Sequence, residues 1–257
     1  MEDRILDWLN TQGYPLEMRV ARAFRRLNFR VRQSLYYDDP DEGKSREIDV
    51  VAETGIGFED ALVAFYYAVE CKLSSNKPWL LFATGELADS ATFALSNGIA
   101  TSRLARDDLS LNLRDYLARH SSIFSKDRLS HGLTCAFTTG VDVPYRSLLT
   151  AIKAAQWLAD RQSRKARVFA FAVPLVVIDT GLYEVFLNED SEVNVKEVAS
   201  GTVRLESEVG GVASPWVKVL TSKALDTFVM VAADMAERAV NHCCELLGKG
   251  NSARQQS

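Results

Sequence analysis

The longest apolar stretch of the chain, VFAFAVPLVVI at residues 168–178, limits the folds that the chain can adopt. It is shorter than the roughly 18 residues of a membrane-spanning helix and contains Pro174, so it predicts one or two buried strands. At 257 residues and 47% hydrophobic composition, the chain can bury a substantial core without disulfides or a structural metal. We expect a single domain over residues 1–250 and a flexible tail at residues 251–257.

The N-terminal residues, MEDRILDWLN, are charged and amphipathic, unlike a secretory signal, in which a basic stretch precedes an apolar block. We therefore expect a cytoplasmic protein that does not contact a membrane. The four cysteines have no CxxC spacing, and the three histidines have no spacing typical of paired ligands. The sequence therefore does not predict a zinc site.

Helical and strand patterns alternate along the chain, which predicts an α/β fold. The first hundred residues predict helices at about 2–11 and 15–28, strands at 29–39, 46–53, 61–74 and 78–85, and a helix at 86–105. The remainder predicts a strand at 131–139, a helix at 145–165, strands within 166–187 and 194–208, and a long terminal helix at 223–247.

The basic residues are unevenly distributed. The formal net charge of −4 gives no overall attraction to nucleic acid, but residues 19–32 contain six arginines and no acidic residue. In the second predicted helix, Arg19, Arg22 and Arg26 lie mainly outside the apolar stripe, which makes a basic flank. This flank is either a solvated helix face or a phosphate-binding surface.

The segment YYAVECK, residues 66–72, ends an apolar strand with two opposite charges. Because residues i and i+2 of a strand point to the same face, Glu70 and Lys72 project together, on either side of the Cys71 backbone. One interpretation is a simple salt bridge at a strand end.

The preceding strand favours a second interpretation, because it carries Asp49 in an otherwise apolar segment. A buried carboxylate needs a cation, a hydrogen-bond donor or a metal as its partner. If the two strands are neighbours, Asp49 and Glu70 can converge. Two carboxylates and a peptide carbonyl make an all-oxygen site that suits Mg²⁺.

This order of elements, a helix with Glu17, a strand with Asp49 and a strand with Glu70 and Lys72, resembles the PD-(D/E)xK nuclease superfamily. The resemblance covers about residues 10–100, and because its motif is short, the order of the elements carries more of it than the motif residues do. It implies a restriction-endonuclease-like core, with a central mixed β-sheet flanked by helices. The later strands and the long terminal helix would be additions to that core.

The resemblance implies a Mg²⁺-dependent nuclease in which Mn²⁺ can replace Mg²⁺. Within this class, we expect a DNA endonuclease of restriction or phage-defence type. In such a site Asp49, Glu70 and the carbonyl of Cys71 would bind the metal. Lys72 would position or deprotonate water, and Asp49, Glu70 and Lys72 would be the catalytic residues. Glu17 would help to bind or orient the metal, although a carboxylate in a first helical turn is also favoured by the free backbone N–H groups.

The partner implied by the resemblance is nucleic acid, expected to be DNA. Arg19, Arg22 and Arg26 of the second helix are candidates for phosphate contacts, and so are Lys44 and Arg46. Two alternatives remain: an RNA-directed nuclease, or a non-catalytic nucleic-acid-binding or assembly subunit that keeps the fold. A homodimer is compatible with cleavage of both strands.

Overall fold

The computed structural model describes residues 1–39, 41–58, 61–73, 77–87, 99–108, 116, 123, 128–138, 142–160, 167–209 and 214–254. Among these residues, eleven strands form one mixed sheet, and helices pack on both of its faces. The predicted α/β class, with a large mixed sheet, flanking helices and a long C-terminal helix, is confirmed.

The helices are α1 (Glu2–Asn10), α2 (Tyr14–Arg26), α3 (Arg103–Asp108), α4 (Val143–Asp160) and α5 (Leu225–Arg254), the last preceded by a 3₁₀ turn at Ser222–Ala224. The strands are β1 (Arg30–Asp39), β2 (Lys44–Phe58), β3 (Ala61–Lys72), β4 (Trp79–Leu87), β5 (Ala100–Thr101), β6 (Arg128–Cys135), β7 (Arg167–Ile178), β8 (Leu182–Leu187), β9 (Val193–Val198), β10 (Ser200–Arg204) and β11 (Trp216–Thr221). Within the described part of the chain, no helix has the length and apolar character needed to cross a bilayer.

The centre of the sheet is made by β3 and β7. Strands β1, β2 and β3 form an antiparallel meander, and β3 then pairs in parallel with β7 along its whole length, from Ala61↔Arg167 to Lys72↔Ile178. A parallel pair needs a crossover connection, and this one includes α4, which packs across β3 and β7. Beyond β7 the order continues through β11, β10, β6, β4, β8 and β9.

The sequence predicted the strand at 78–85 but not its neighbours. It is β4, which pairs with β6 and β8. The sheet extends well beyond residues 10–100, since β3 pairs with β7. The helix predicted at 86–105 falls mostly on residues 88–98, which lie outside the described residues. Of its end, residues 100–101 form the short strand β5, paired with β7, and residues 103–105 are helical in α3.

Two further differences lie near the C-terminus. Strand β11 was missed because its apolar residues form a short run that Lys218 interrupts, although all six residues are buried. Helix α5 continues to Arg254, so the backbone of residues 251–254 is helical where a tail was predicted. Residues 255–257 lie outside the described part of the chain.

The core on one face of the sheet is centred on Tyr67, and we call it the α5-side core. Helices α2 and α5 cover this face, and the fully buried Tyr67 hydroxyl donates a hydrogen bond of 2.8 Å to the carbonyl of Ala232 in α5. The Tyr67 ring contacts those of Phe24, Phe29, Phe65 and Phe228. These contacts hold α2 and α5 against β3.

The opposite face, the α4-side core, is built largely from small residues. Ala154, Ala155 and Ala159 of α4 pack with alanines of the central strands, among them Ala68 and Ala170. Because these side chains are small, α4 lies close to the sheet. The two cores together bury β3 and β7 on both faces, which agrees with their apolar sequences.

An ion cluster joins the β1–β2 hairpin to α4. The fully buried Asp39 accepts hydrogen bonds from Lys153 Nζ at 3.0 and 3.1 Å and from Arg46 Nε at 2.9 Å. Burial alone would raise the pKa of Asp39, but the bonds from Lys153 and from the Asp41 N–H lower it below the usual value. Asp39 therefore stays charged, and its partners are structurally required.

We predict that Lys153→Met lowers the free energy of unfolding by about 3 kcal/mol, because it leaves a buried carboxylate without its main cation. Arg238→Met is the control: it removes a similar ion pair, with Asp234 at 2.8 Å, that is exposed on α5. Its effect should be close to zero. Urea unfolding at neutral pH measures both variants, and equal losses would contradict the structural role of Lys153.

Candidate active site

Asp49 lies at a bend in β2. The residue opposite it in the register of β1 is Ser34, whose φ of 53° is in the left-handed region. The apolar side chains of β2 change faces of the sheet at this point: Val50 packs in the α5-side core, whereas Ile48 packs in the α4-side core. Asp49 is therefore half-buried between the two cores and is the polar residue in an apolar strand that the sequence indicated.

Strands β2 and β3 separate directly after this bend. Their pairing ends at Val50↔Val69, and the main-chain N–H of Cys71 donates instead to Asp49 Oδ2 at 2.7 Å. Strand β3 continues beside β7 to Lys72. The separation opens a pocket of about 360 Å³, lined by Asp49, Glu17, residues 11–13 and residues 71–73.

Glu70 and Lys72 form the same-face pair that their spacing predicts. Lys72 Nζ lies 2.5 Å from Glu70 Oε1, and Glu70 is buried. Lys72 lines the pocket. Glu70 does not line the pocket, but it contacts Lys72. The Cys71 side chain packs in the α5-side core, so only its main chain is available to the site.

The site concentrates negative charge. Burial, and after it the Asp49 carboxylate, raise the pKa of Glu70 to about 7 against the opposing effect of Lys72. Burial also raises the pKa of Asp49, against the opposing effects of Lys72 and the Cys71 N–H. The pKa of Glu17 is raised by burial and then by Asp49. Three carboxylates thus share a region with a single lysine that lines the pocket.

The donor set suits a hard cation with few protein ligands. No group of three or more His, Cys, Asp or Glu side chains among the described residues is arranged to hold a metal ion. Asp49 and Glu17 line the pocket with carboxylate oxygens, the ligands that Mg²⁺ prefers, and a divalent cation would offset the repulsion that raises their pKa values. The Lys72 ammonium occupies the place beside Glu70 where a metal ion would bind, so metal binding to Glu70 requires Lys72 to move.

Asp179, which the sequence analysis did not select, connects the pocket to α2. Its N–H donates to the carbonyl of Lys72 at 3.1 Å, and its carboxylate accepts from Arg19 at 2.5 Å and from the Ser222 hydroxyl at 2.6 Å. Burial would raise the pKa of Asp179, but the bonds from Ser222 and Arg19 lower it. Arg19 is therefore held beside Lys72. The available signal was an acid directly after the buried stretch at 168–178.

The other predicted basic residues separate into two groups. Arg22 and Arg26 are exposed and border an open groove of about 660 Å³ along α2, together with Arg25. Lys44 is exposed at the start of β2 and does not line the pocket, and Arg46 is bonded to Asp39 and Glu42 in the ion cluster.

No protein-family model, curated protein or solved structure matches the chain. A function for the site therefore rests on its own geometry and charge. Glu17, Asp49 and Lys72 line one pocket, Glu70 adjoins it through its ion pair with Lys72, and Arg46 lies elsewhere.

We predict that, without divalent cations, the free energy of unfolding falls as the pH rises from the ordinary pKa of glutamate to about 7. Folded Glu70 keeps its proton up to a pKa of about 7, so its contribution to stability is complete below the ordinary pKa and is lost through this range. The slope from this one group is at most about 1.4 kcal/mol per pH unit. Urea unfolding in EDTA at several pH values measures it.

Glu70→Gln should flatten this pH dependence, because the amide does not titrate. Glu189→Gln, in the exposed turn after β8, is the control and should leave the wild-type slope unchanged. An unaltered slope in Glu70→Gln would show that another group is responsible.

Proposed function

We propose that the protein is a metal-dependent nuclease that hydrolyses phosphodiester bonds, as the resemblance to the PD-(D/E)xK superfamily implies, and specifically a DNA endonuclease of restriction or phage-defence type. One observation carries the proposal: Asp49 accepts the Cys71 N–H where β2 and β3 separate. This bond brings the strand with Asp49 and the strand with Glu70 and Lys72 to one pocket, which Glu17 also lines.

The metal ligands that we propose are Asp49, Glu70 and the main-chain carbonyl of Cys71, with Glu17 as a further carboxylate. Their oxygen donors suit Mg²⁺ and also Mn²⁺. When bound, the metal would supply an activated water and offset the negative charge of the phosphate. The pKa values of Asp49 and Glu70, raised chiefly by burial, support this assignment, because a cation at the site would stabilise the charged carboxylates that burial disfavours.

Lys72 acts as a cation rather than as a base in this proposal. Burial opposes its charge, but Glu70 and Asp49 raise the pKa of Lys72 above the usual value, so the ammonium stays protonated at neutral pH. A protonated lysine cannot take the proton from water. Lys72 would therefore orient the attacking water or the phosphate and stabilise negative charge in the transition state. In the metal-free site Glu70 holds this ammonium, and Lys72 would leave Glu70 when a metal binds there.

The positive surface beside the pocket supports a nucleic-acid substrate. Arg22 and Arg26 are exposed along α2, and Arg19 borders the same groove with one side of its guanidinium bonded to Asp179. Arg22 and Arg26 can bind backbone phosphates despite the net charge of −4, and Arg19 can do so through the part of its guanidinium that Asp179 leaves exposed. Arg46 is not part of this surface in our proposal, because Asp39 and Glu42 occupy its guanidinium.

A nucleic-acid-binding subunit without catalysis is the second candidate. It is favoured by the ion pair between Lys72 and Glu70, and by the lack, among the described residues, of three side chains arranged around a metal. Such a protein would bind nucleic acid through α2 and leave it intact.

We predict that the protein cleaves nucleic acid in Mg²⁺ or Mn²⁺ and not in EDTA. Asp49→Asn and Lys72→Met should each lower the cleavage rate at least about 100-fold, because each removes a group that stabilises the transition state. Asp190→Asn, exposed in the turn after β8, is the control and should keep the wild-type rate. Plasmid, single-stranded DNA and RNA are the substrates to compare.

A second readout separates loss of function from loss of folding. Mg²⁺ should raise the thermal midpoint of the wild type, since a ligand of the folded state stabilises it, and should raise that of Asp49→Asn less. Binding without cleavage, unaffected by Mg²⁺ and by Asp49→Asn, would favour the second candidate.

We also predict a difference between the two groups of basic residues. Arg22→Gln should reduce the slope of log K against log salt concentration by about 1, because it removes one phosphate contact. Arg46→Gln should leave the slope unchanged, since its guanidinium already binds two carboxylates. Titration of labelled DNA over a range of salt concentrations measures both, and equal slopes for the two variants would exclude the α2 surface.

A further inference from the structure

Aromatic side chains lie exposed around the candidate active site. Trp8 of α1 is 54% exposed, Tyr14 of α2 is 55% exposed and Tyr36 of β1 is 60% exposed. Trp79 and Trp216, in contrast, are almost completely buried. An exposed aromatic ring leaves a large apolar area in water, so several of them in one region indicate a binding surface.

Two of these rings are next to each other at the start of α2. The ring centroids of Trp8 and Tyr14 are 6.4 Å apart, with an angle of 40° between their planes. Tyr14 is the first residue of α2 and precedes Glu17 by three positions, so the two side chains lie on the same side of the helix. The residues between Trp8 and Tyr14 include 11–13, which line the pocket.

Tyr36 lies next to the strand that carries Asp49. It is opposite Glu47 in the register of β1 and β2, its hydroxyl donates to Glu47 Oε2 at 3.1 Å, and Glu47 precedes Asp49 by two positions. The hydrogen bond to Glu47 is the main reason that the pKa of Tyr36 is raised, and Tyr14 adds to the effect. Trp8 and Tyr14 thus flank the residues 11–13 that line the pocket, and Tyr36 is bonded to the strand that supplies Asp49.

The surroundings of this surface distinguish between possible partners. Helix α1 has no buried residue, so its apolar side is not required by the core. The core of a protein–protein interface is poor in charge, whereas this surface adjoins exposed arginines of α2, Arg19, Arg22 and Arg26. Exposed aromatic rings beside a basic groove are the combination that binds single-stranded nucleic acid.

We propose that Trp8, Tyr14 and Tyr36 form a stacking surface for unpaired bases, and that the substrate of this site is a single-stranded nucleic acid or an unpaired segment. The inference rests on the proposed nuclease function and specifies its substrate class. In a duplex the faces of the bases are covered by their neighbours, and only unpaired bases can stack on protein rings. The backbone of the same strand would follow the arginines along α2.

Binding of labelled oligonucleotides to the wild-type protein in EDTA tests the proposal without cleavage. Oligo(dT), oligo(rU) and a duplex of equal length, each about 20 nucleotides or base pairs, span a site of the size that aromatic grooves bind. We expect both single strands, or one of them, to bind at least about tenfold more tightly than the duplex. Comparison of the affinities for oligo(dT) and oligo(rU) shows whether the protein prefers DNA or RNA.

Variants of the rings test the mechanism. Trp8→Ala and Tyr14→Ala should each weaken single-strand binding about 5- to 100-fold, as expected for a lost stacking contact, and Trp8→Phe should retain most of the affinity. Met230→Ala removes an exposed apolar side chain of α5 that is not aromatic, and Phe137→Ala removes an exposed aromatic ring in the turn after β6. Both controls should bind as the wild type does.

Several outcomes would overturn the stacking surface. They are equal affinity for duplex and single strands, unchanged single-strand binding in Trp8→Ala and Tyr14→Ala, or an equal loss of binding in Met230→Ala. If Trp8→Ala converts a dimer to a monomer in sedimentation and leaves binding unchanged, this face is a protein interface instead.

Cleavage measured separately in Mg²⁺ tells the two proposals apart. Tight single-strand binding that depends on Trp8, with no cleavage of any substrate, would support the stacking surface and refute the nuclease. Cleavage of a duplex at a rate that Trp8→Ala does not change would support the nuclease and refute the stacking surface.

Discussion

The hydrogen bond from the Cys71 N–H to the Asp49 carboxylate is the interaction on which the candidate site depends. A buried main-chain N–H must have a partner, and in an uninterrupted sheet that partner would be a carbonyl of β2. Because Asp49 supplies the acceptor from its side chain, β2 can leave β3 at this point without an unpaired donor. The pocket, and the convergence of Glu17 and Lys72 on it, follow from this separation.

A site of this kind is unfavourable for folding, and the rest of the molecule compensates. Glu70 is buried and Asp49 is half-buried, burial raises the pKa of both carboxylates, and Lys72 offsets only part of this effect. The strand that carries Glu70 is held from one face by the aromatic contacts of Tyr67 and from the other by α4. Perturbed carboxylates on such a rigid support are typical of functional sites, where electrostatic strain is relieved when a ligand binds.

The sequence indicated those parts of the site that depend on local pattern. The strand period was enough to put Glu70 and Lys72 on one face, and Asp49 was identifiable as the polar residue of an apolar segment. The pairing of β3 with β7 was not predictable, because parallel neighbours are distant in sequence and no local feature specifies which strands meet. Asp179 was missed because its partner Arg19 is also distant in sequence. The ion pair of Arg46 with Asp39 was not predictable either, because it depends on the pairing of β1 with β2.

Helix α2 sets the relation between the acidic pocket and the basic surface. Its apolar stripe, with Leu16 and Phe24, is fixed in the α5-side core, and this orientation decides where every other residue of the helix points. Glu17 consequently lies at the edge of the stripe and reaches the pocket, while the arginines project away from the sheet. A carboxylate cluster repels phosphate until its charge is offset, so an attractive surface is needed at a fixed distance from it. Because α2 carries both Glu17 and the arginines, a single rigid helix fixes the distance between the acidic pocket and the basic surface, and no hinge or second domain is needed.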